Sequence, residues 1–575
     1  MARRLALAAA LALALAPSAH AQSQKRFVLM PGVQFTRNVE FTSHGPVVVN
    51  IVNAPKPGGL YSLHPYLSNG AIVGRQPLTD MEKSISGGTT VAGINGDLFD
   101  ATTGDPAGVL IRQGVLDSPP VAQRSSTGID AAGNLHLGRI RFSGFWKGTG
   151  QRRSLVLNQA PGANGVALYT RAWGPTTPPV PTGAVEAVLS GFPDSRPNTD
   201  LFGTVSAIAQ TSGGTGIPGN GAVLVARGAG ASHLAAEAPV GTSVFVRLTL
   251  TPSWGGIVDA LGGGPVIVSK GRPVFRANEI FSTKYLFQRS PRAAIGQRAD
   301  GRIILVAVDG DQPGYSVGMT NFELAVTMKQ LRCVTAMALD GGQSATLAFD
   351  GNVLNEPSAP NGERAISDAL LVTYDGVYAP DVAQSVLSPN GDSVADTQTL
   401  SYKVVRPSNV RAVLVGPDRA ERVVDQGFRS PGTYTLAWTG LRGDGTPEPE
   451  GSWRFTVTAT DNQGRESRAD RTFSLNETLA ALAVTPPDYA LGQGSARATF
   501  TLAHPAKVTA TVETASGIVI RRVMLRDLEV GTWSVSWNGR RDSGGLAFGG
   551  RYQFRVSATN AFGKADLVGP FTAHR

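Results

Sequence analysis

Residues 432–464 return 99 positions later, and this repeat constrains the fold of the C-terminal part of the chain more tightly than any composition does. Gly432-Thr-Tyr-Thr-Leu-Ala-Trp438-Thr-Gly440 corresponds to Gly531-Thr-Trp-Ser-Val-Ser-Trp537-Asn-Gly539. Phe455, Val457, Ala459, Thr460 and Gly464 correspond to Phe554, Val556, Ala558, Thr559 and Gly563 at the same offset. Pro407 and Val410 pair with Pro505 and Val508 at one residue less. Tyr434, Leu436 and Trp438 alternate with smaller residues, as do Trp453, Phe455, Val457 and Ala459, which is the period of a strand with one buried face. Gly443-Asp-Gly445 and Pro447-Glu-Pro449 supply turns. Two copies of this size suit two all-β sandwiches. The expected boundaries are 379–476 and 477–575, behind a larger domain over 22–378.

Within that larger domain the stretch Ser290 to Tyr374 carries the chemistry. Ile303-Ile-Leu-Val-Ala-Val308 is a continuous apolar run, predicting a strand buried on both faces. Thr320-Asn-Phe-Glu323 is a capping box, with Met319 and Leu324 as its hydrophobic staple. A helix is therefore predicted from Asn321 to about Leu331, with Leu324, Met328 and Leu331 on one face. Val334 to Leu339 reads as the next strand. A crossover helix returns the chain so that the two strands run parallel. Asp309-Gly310 and Asp340-Gly341-Gly342 then emerge at one sheet edge, where sites form. The expected class is an α+β catalytic domain with mixed sheets and this strand–helix–strand unit.

One Asp-Gly step at a strand end is an ordinary turn. Two at matched positions across a crossover, with Gly341-Gly342 allowing close backbone approach, point to a ligand. Arg292 precedes the pair, and Glu363-Arg364 follows it. Ser344 lacks the G-x-S-x-G elbow, and no histidine lies between Asp309 and Tyr374, which argues against a Ser/His triad. The seven histidines show no metal-ligand spacing, so neither metal nor cofactor is expected. Arg124-x3-Gly128-x4-Gly133 recurs as Arg292-x3-Gly296-x4-Gly301, suggesting two related sub-sheets. Residues 150–250 read as strands punctuated by Pro and Gly, with no visible chemistry.

Residues 1–21 have the form of a secretory signal: Arg3-Arg4, an apolar run from Leu5 to Ala16, and Ala19-His20-Ala21 for cleavage. The run is too short to span a bilayer, so an exported protein without a membrane span is expected. Cys333 is the single cysteine; no intrachain disulfide can form, and its neighbours Leu331 and Val334 suggest a small buried side chain. The net charge of +9 is spread without a dense basic run, so no nucleic acid partner is expected. Ser388-Pro-Asn-Gly-Asp392 offers oxygen ligands in Asn390, Asp392 and Asp396 but lacks a full calcium loop, and reads as a turn.

Several of these segments together resemble the phosphodiester glycosidase family. They are Pro291-Arg-Ala-Ala-Ile-Gly296, Val308-Asp-Gly310, Tyr315-Ser-Val-Gly-Met319, Leu339-Asp-Gly-Gly-Gln-Ser344 and Gly362-Glu-Arg364. Asn95-Gly96 with Phe99 resembles the family's earlier asparagine–glycine motif, with Asp97 where glycine is common. Gly262-Gly-Gly-Pro265 resembles a further element. The strong resemblance covers about 260–375 and a weaker one 45–140, whereas 150–250 resembles nothing nameable. The C-terminal modules resemble the Ig-like domain of flagellar hook-capping proteins.

The resemblance implies cleavage of a sugar C1–O–phosphate bond in a phosphorylated glycan, whether an N-acetylglucosamine diester or a cell-wall or exopolysaccharide polymer. A phosphate monoester, with a second pKa of about 6, leaves with little acid assistance. On this reading Asp309, Asp340 and Glu363 are catalytic. Arg292 and Arg364 clamp the phosphate, and Asn95, Gly341, Gly342 and Ser344 line the substrate. The rival readings are a non-catalytic carbohydrate or cell-wall binding surface protein, favoured by Asp97 and the Ig-like modules, and a flagellum-associated structural protein.

Overall fold

The computed structural model describes residues 22–274 and 279–575. The secretory signal expected over 1–21 lies outside the described residues. The chain divides into two compact units between Asp375 and Gly376, and each is taken by itself.

The N-terminal unit is mostly β. Its eight-stranded sheet runs, edge to edge, Gln22–Met30, Val33–Thr42, Gly45–Ala54, Ile303–Val308, Arg292–Arg298, Cys333–Ala338, Val266–Ser269, Arg272–Pro273. Ile303–Val308 is buried at every position, as its apolar run requires. Helix Asn321–Gln330 covers one face: Leu324, Ala325 and Met328 pack with Ile304, Val306, Ala294 and Cys333. The helix starts at the capping box, with the Thr320 hydroxyl accepting from the Glu323 amide and the Glu323 carboxylate accepting from the Thr320 amide. Its staple residues Met319 and Leu324 lie in that same core. Thr320→Ala removes the hydroxyl that accepts from the Glu323 amide, leaving the backbone half of the box, and should lower stability by about 1 kcal/mol, read as a lower midpoint of chemical unfolding.

The strands joined by this helix do run parallel, but they are not neighbours. Each pairs antiparallel with Arg292–Arg298, which lies between them. The α+β description fits this unit of structure and overstates helix elsewhere. Among the described residues the other α-helices are Leu78–Ile85, Ala229–Glu237 and Thr283–Phe287. The expectation of mixed sheets is also overstated. The N-terminal unit has one parallel pair among its described strands, Arg153–Leu157 with Val166–Tyr169, because hairpins rather than helices make most of the connections.

Residues 141–251 close into a seven-stranded barrel. It is filled by side chains such as Trp146, Leu168, Leu189, Leu224, Val246 and Leu248. A five-stranded sheet holds Leu110–Arg112, Ile257–Gly262 and Ser126–Asp130 at its centre. Another places Thr90–Asn95 between Leu347–Phe349 and Asp368–Tyr374, with Tyr61–Leu67 at its edge.

The echo between residues 124–133 and 292–301 has a structural counterpart. Each segment is a strand followed by a hairpin turn closed at a left-handed glycine, Gly133 (φ 76°) and Gly301 (φ 84°). The Gln297 side-chain amide donates to the carbonyls of both glycines, at 2.8 and 3.0 Å.

The C-terminal unit holds two sandwich-like modules with matching strand plans, except that the second adds Leu479–Thr485 to its smaller sheet. Gly432–Trp438 and Gly451–Asp461 recur as Gly531–Trp537 and Gly550–Asn560. Trp438 packs on Trp453 at 4.7 Å between ring centroids, and Trp537 on Tyr552 at 5.4 Å. In the first module, turn amides of Gly391 and Ser393 donate to Asp396.

Candidate active site

Strand direction places the first groups. Arg292–Arg298 is antiparallel to both of its neighbours, so it begins at the edge where Ile303–Val308 and Cys333–Ala338 end. Asp340 leaves that edge half-buried, and its backbone bolts the eight-stranded sheet to strand Thr90–Asn95. The Asp340 amide donates to the Gly96 carbonyl at 3.0 Å, and the Asn95 side-chain amide donates to the Asp340 carbonyl at 2.8 Å. A Cβ on Gly341 would stand 2.8 Å from the Pro291 carbonyl oxygen, and Gly342 has φ +62°, so glycine suits both positions sterically. The 3-10 turn Gly342–Ser344 then carries Ser344. Arg364 donates to the Ser344 hydroxyl at 3.1 Å and lies 4.7 Å over the Phe99 ring. Burial pushes the Asp340 carboxyl up to about 6. A Ser344 hydrogen bond and the Arg364 and Arg124 charges oppose that rise, while the Asp97 charge adds to it.

Two further carboxylates stand beside it. Asp97 Oδ1 accepts from the Leu98 amide at 2.7 Å and from the Arg124 guanidinium. Its backbone amide donates to Asp368 Oδ1 at 2.8 Å. Gly96 has to lack a side chain, because a Cβ would overlap Asp368 Oδ1 at 1.8 Å. Asp97 Oδ2 is enclosed by Gly108 and Gly262, whose Cβ atoms would come within 2.5 and 2.0 Å of it, and it has no hydrogen-bond partner among the described residues. Burial raises the Asp97 carboxyl and the Arg124 charge pulls it back. Asp368 is fully buried and pushed up to about 7, by burial first and then by the Asp97 charge; the Ser367 hydroxyl, donating to its Oδ2 at 2.6 Å, opposes this.

Arg124 is engaged on all sides. It donates to the Gly263 carbonyl from Nε and Nη2 and lies 5.4 Å over Phe281. Phe281 stacks on Tyr285, whose hydroxyl donates to the Leu339 carbonyl at 3.1 Å.

The expected site residues therefore divide. Asp340, Gly341, Gly342, Ser344, Arg364 and Asn95 come together. Arg292 is buried at the same edge with its guanidinium 5.3 Å over Tyr285. Its Nε and Nη2 donate to the carbonyls of Met319 and Gln288, which makes it a wall of the site. Asp309 sits in a different network. It accepts from the side chains of Asn50 and Asn355 at 2.9 Å each, the Tyr315 hydroxyl at 3.1 Å and the Glu356 amide at 3.1 Å. Arg37 lies 3.8 Å away. Glu363 accepts from the Thr79 amide and hydroxyl, tying down the first turn of helix Leu78–Ile85, whose N-cap Pro77 offers no side-chain acceptor. The sequence reading did not place Asp97, Arg124 and Asp368 in the site. The repeated Arg-x3-Gly-x4-Gly pattern was the available signal for Arg124, and the Asp97 departure from glycine was the signal for Asp97. Asp368 carries no local signature.

Residues 182–373 match the phosphodiester glycosidase family, and residues 487–561 match the FlgD Ig-like domain. The family match takes in most of the barrel and corrects, from residue 182 onward, the reading of 150–250 as a stretch without resemblance. The SPbeta prophage-derived uncharacterized protein YomE of Bacillus subtilis (strain 168) is 37% identical over 86 residues, covering 15% of this chain and 13% of that protein. The Mus musculus N-acetylglucosamine-1-phosphodiester alpha-N-acetylglucosaminidase is 27% identical over 218 residues, covering 36% of this chain and 39% of that protein. The chain thus spans well under two thirds of the length of these curated relatives. The crystal structure of a hypothetical protein from Synechocystis is 28% identical with a TM-score of 0.52, covering 63% of this chain and 64% of that one.

Proposed function

Starting from a chain that carries a phosphodiester glycosidase domain and a FlgD Ig-like domain, we propose that it is an exported hydrolase cleaving the C1–O–phosphate bond of a phosphodiester-linked sugar. One observation carries the assignment to this site. Asp340 is a half-buried carboxyl with a pKa of about 6, set between the Ser344–Arg364 pair and the Asp97–Arg124 pair.

The chemistry asks for negative charge at an anomeric carbon that becomes oxocarbenium-like, and positive charge on the departing phosphate. Asp340 supplies the first, as nucleophile or as base toward water. Arg364 supplies the second: its face rests on Phe99 and one nitrogen holds Ser344, leaving further donors for phosphate oxygens. Arg124 and Asp97 set the field around Asp340, and Asp368 holds a proton near neutral pH. Arg292 and Asn95 keep the edge in place. Asp309 and Glu363 act as structural anchors in this scheme. The C-terminal modules hold the enzyme at a glycan or envelope surface.

The test is release of free sugar from an N-acetylglucosamine-1-phosphodiester by the purified protein. Arg364→Lys keeps the charge but loses the planar fork, and should lower kcat/KM about ten-fold, mainly through KM. No release from any sugar-1-phosphodiester, under conditions where the protein is folded, would refute the assignment.

A further inference from the structure

A second cleft in the N-terminal unit lies apart from Asp340. It is a cavity of about 630 Å³, in the size range of small-ligand sites. It opens where strand Tyr61–Leu67, the turn after Leu110–Arg112, the barrel end near Thr170 and the loop at Pro193 meet. None of the site residues described above lines it.

Its polar groups are built in and only partly used. His64 Nδ1 is held by the buried Asp259 at 2.7 Å, which leaves the other ring nitrogen without a partner among the described residues. Asp259 is itself fixed by the Gln113 amide at 2.8 Å. Arg112 gives Nε to the buried Asp117 at 2.5 Å, and its two terminal nitrogens have no partner among the described residues. Arg171 and Asp194 also line the cavity, and neither side chain makes a hydrogen bond or ion pair among the described residues. Ile85, Phe192 and Leu371 provide apolar wall.

We infer that this cleft is a binding site for a neutral oligosaccharide. Sugar hydroxyls both donate and accept, and the unspent groups here are of both kinds: guanidinium donors from Arg112 and Arg171, and an acceptor in Asp194. A free phosphate needs donors alone and would meet three carboxylates, Asp117, Asp194 and Asp259, in the same cavity. The apolar wall suits the C–H faces of sugar rings. The inference does not rest on the phosphodiester reading, since nothing in the cleft is asked to react.

The probes are chitotriose, cellotriose and inorganic phosphate, titrated by calorimetry and by saturation-transfer NMR with no phosphodiester present. At least one trisaccharide should bind saturably, and phosphate should not compete. Arg171→Ala combined with Asp194→Asn alters two exposed, uncommitted side chains. It should weaken binding about ten-fold or more, the worth of a charge-assisted hydrogen bond, with an unchanged unfolding midpoint. Asp340→Asn should leave binding intact. Three results would each overturn the inference: neither trisaccharide binding, binding indifferent to the double substitution, or binding lost in Asp340→Asn. Sugar release from a phosphodiester is measured separately, so the cleft and the catalytic assignment fail independently.

Discussion

Asp340→Asn should lower kcat/KM for a sugar-1-phosphodiester by about 10³-fold or more, because a group acting directly on the reacting centre contributes on this scale. The substitution keeps size and removes one negative charge. Its backbone contacts to Gly96 and Asn95 do not depend on the carboxylate, so the folded structure should persist. For the unsubstituted protein, kcat/KM should fall on the acid side with an apparent pKa near 6, the value to which burial raises Asp340. That midpoint belongs to the coupled group of Asp340, Asp97 and Asp368 rather than to one residue. Asp309→Asn gives the contrast. Its four donors need a carboxylate, so an amide nitrogen there faces donors instead of acceptors. It should cost about 1–3 kcal/mol of stability while the folded fraction keeps its turnover. Equal loss of turnover from the two substitutions would refute the division of roles.

The second large effect is on stability. Burial pushes Asp368 up to about 7 in the folded protein, against an ordinary aspartate value of about 3.9. A carboxyl raised on folding binds its proton more tightly in the native state. Its contribution is fully present below the unfolded pKa and is lost as pH rises through the folded one. The protein should therefore be more stable at pH 5 than at pH 8, by about 3 kcal/mol from Asp368 alone. Asp97, Asp340 and His64 are also raised and act in the same direction. Denaturant unfolding at the two pH values reads the difference. Asp368→Asn retains an acceptor for the Asp97 amide and should flatten the dependence. A variant as pH-dependent as the parent would show that the titrating group lies elsewhere.

The parts of this molecule legible in the sequence are those set by local chemistry. The capping box at Thr320 satisfies backbone donors within four residues, so it could be read directly. The 99-residue repeat gave equivalent strands because the alternation of Trp, Phe and Val encodes which face is buried. The barrel was opaque: its strands carry apolar residues but no motif, and its closure depends on pairings such as Arg141 with Thr251. The site was legible halfway. Asp309 and Asp340 end comparable strands, and nothing local reveals how many donors await each carboxylate. Asp309 meets Asn50 across 259 positions, whereas the Asp340 carboxyl is met by the Ser344 hydroxyl four residues on. Asp368 is drawn in because its strand pairs Ala369 with Asn95 and its own carbonyl accepts from the Gly96 amide, which no spacing announces.

The barrel departs after strand Leu135–Gly138 and rejoins at Ile257, and both of those strands flank the same rung, Ser126–Asp130. A loop hung between two neighbours of one strand can grow, shrink or be exchanged as a cassette without moving its anchor points. Gly262 ends the second of those strands and Arg124 leads into the rung itself, so the candidate site is insulated from such swaps, while the outer cleft, walled partly by barrel residues, is remodelled by them.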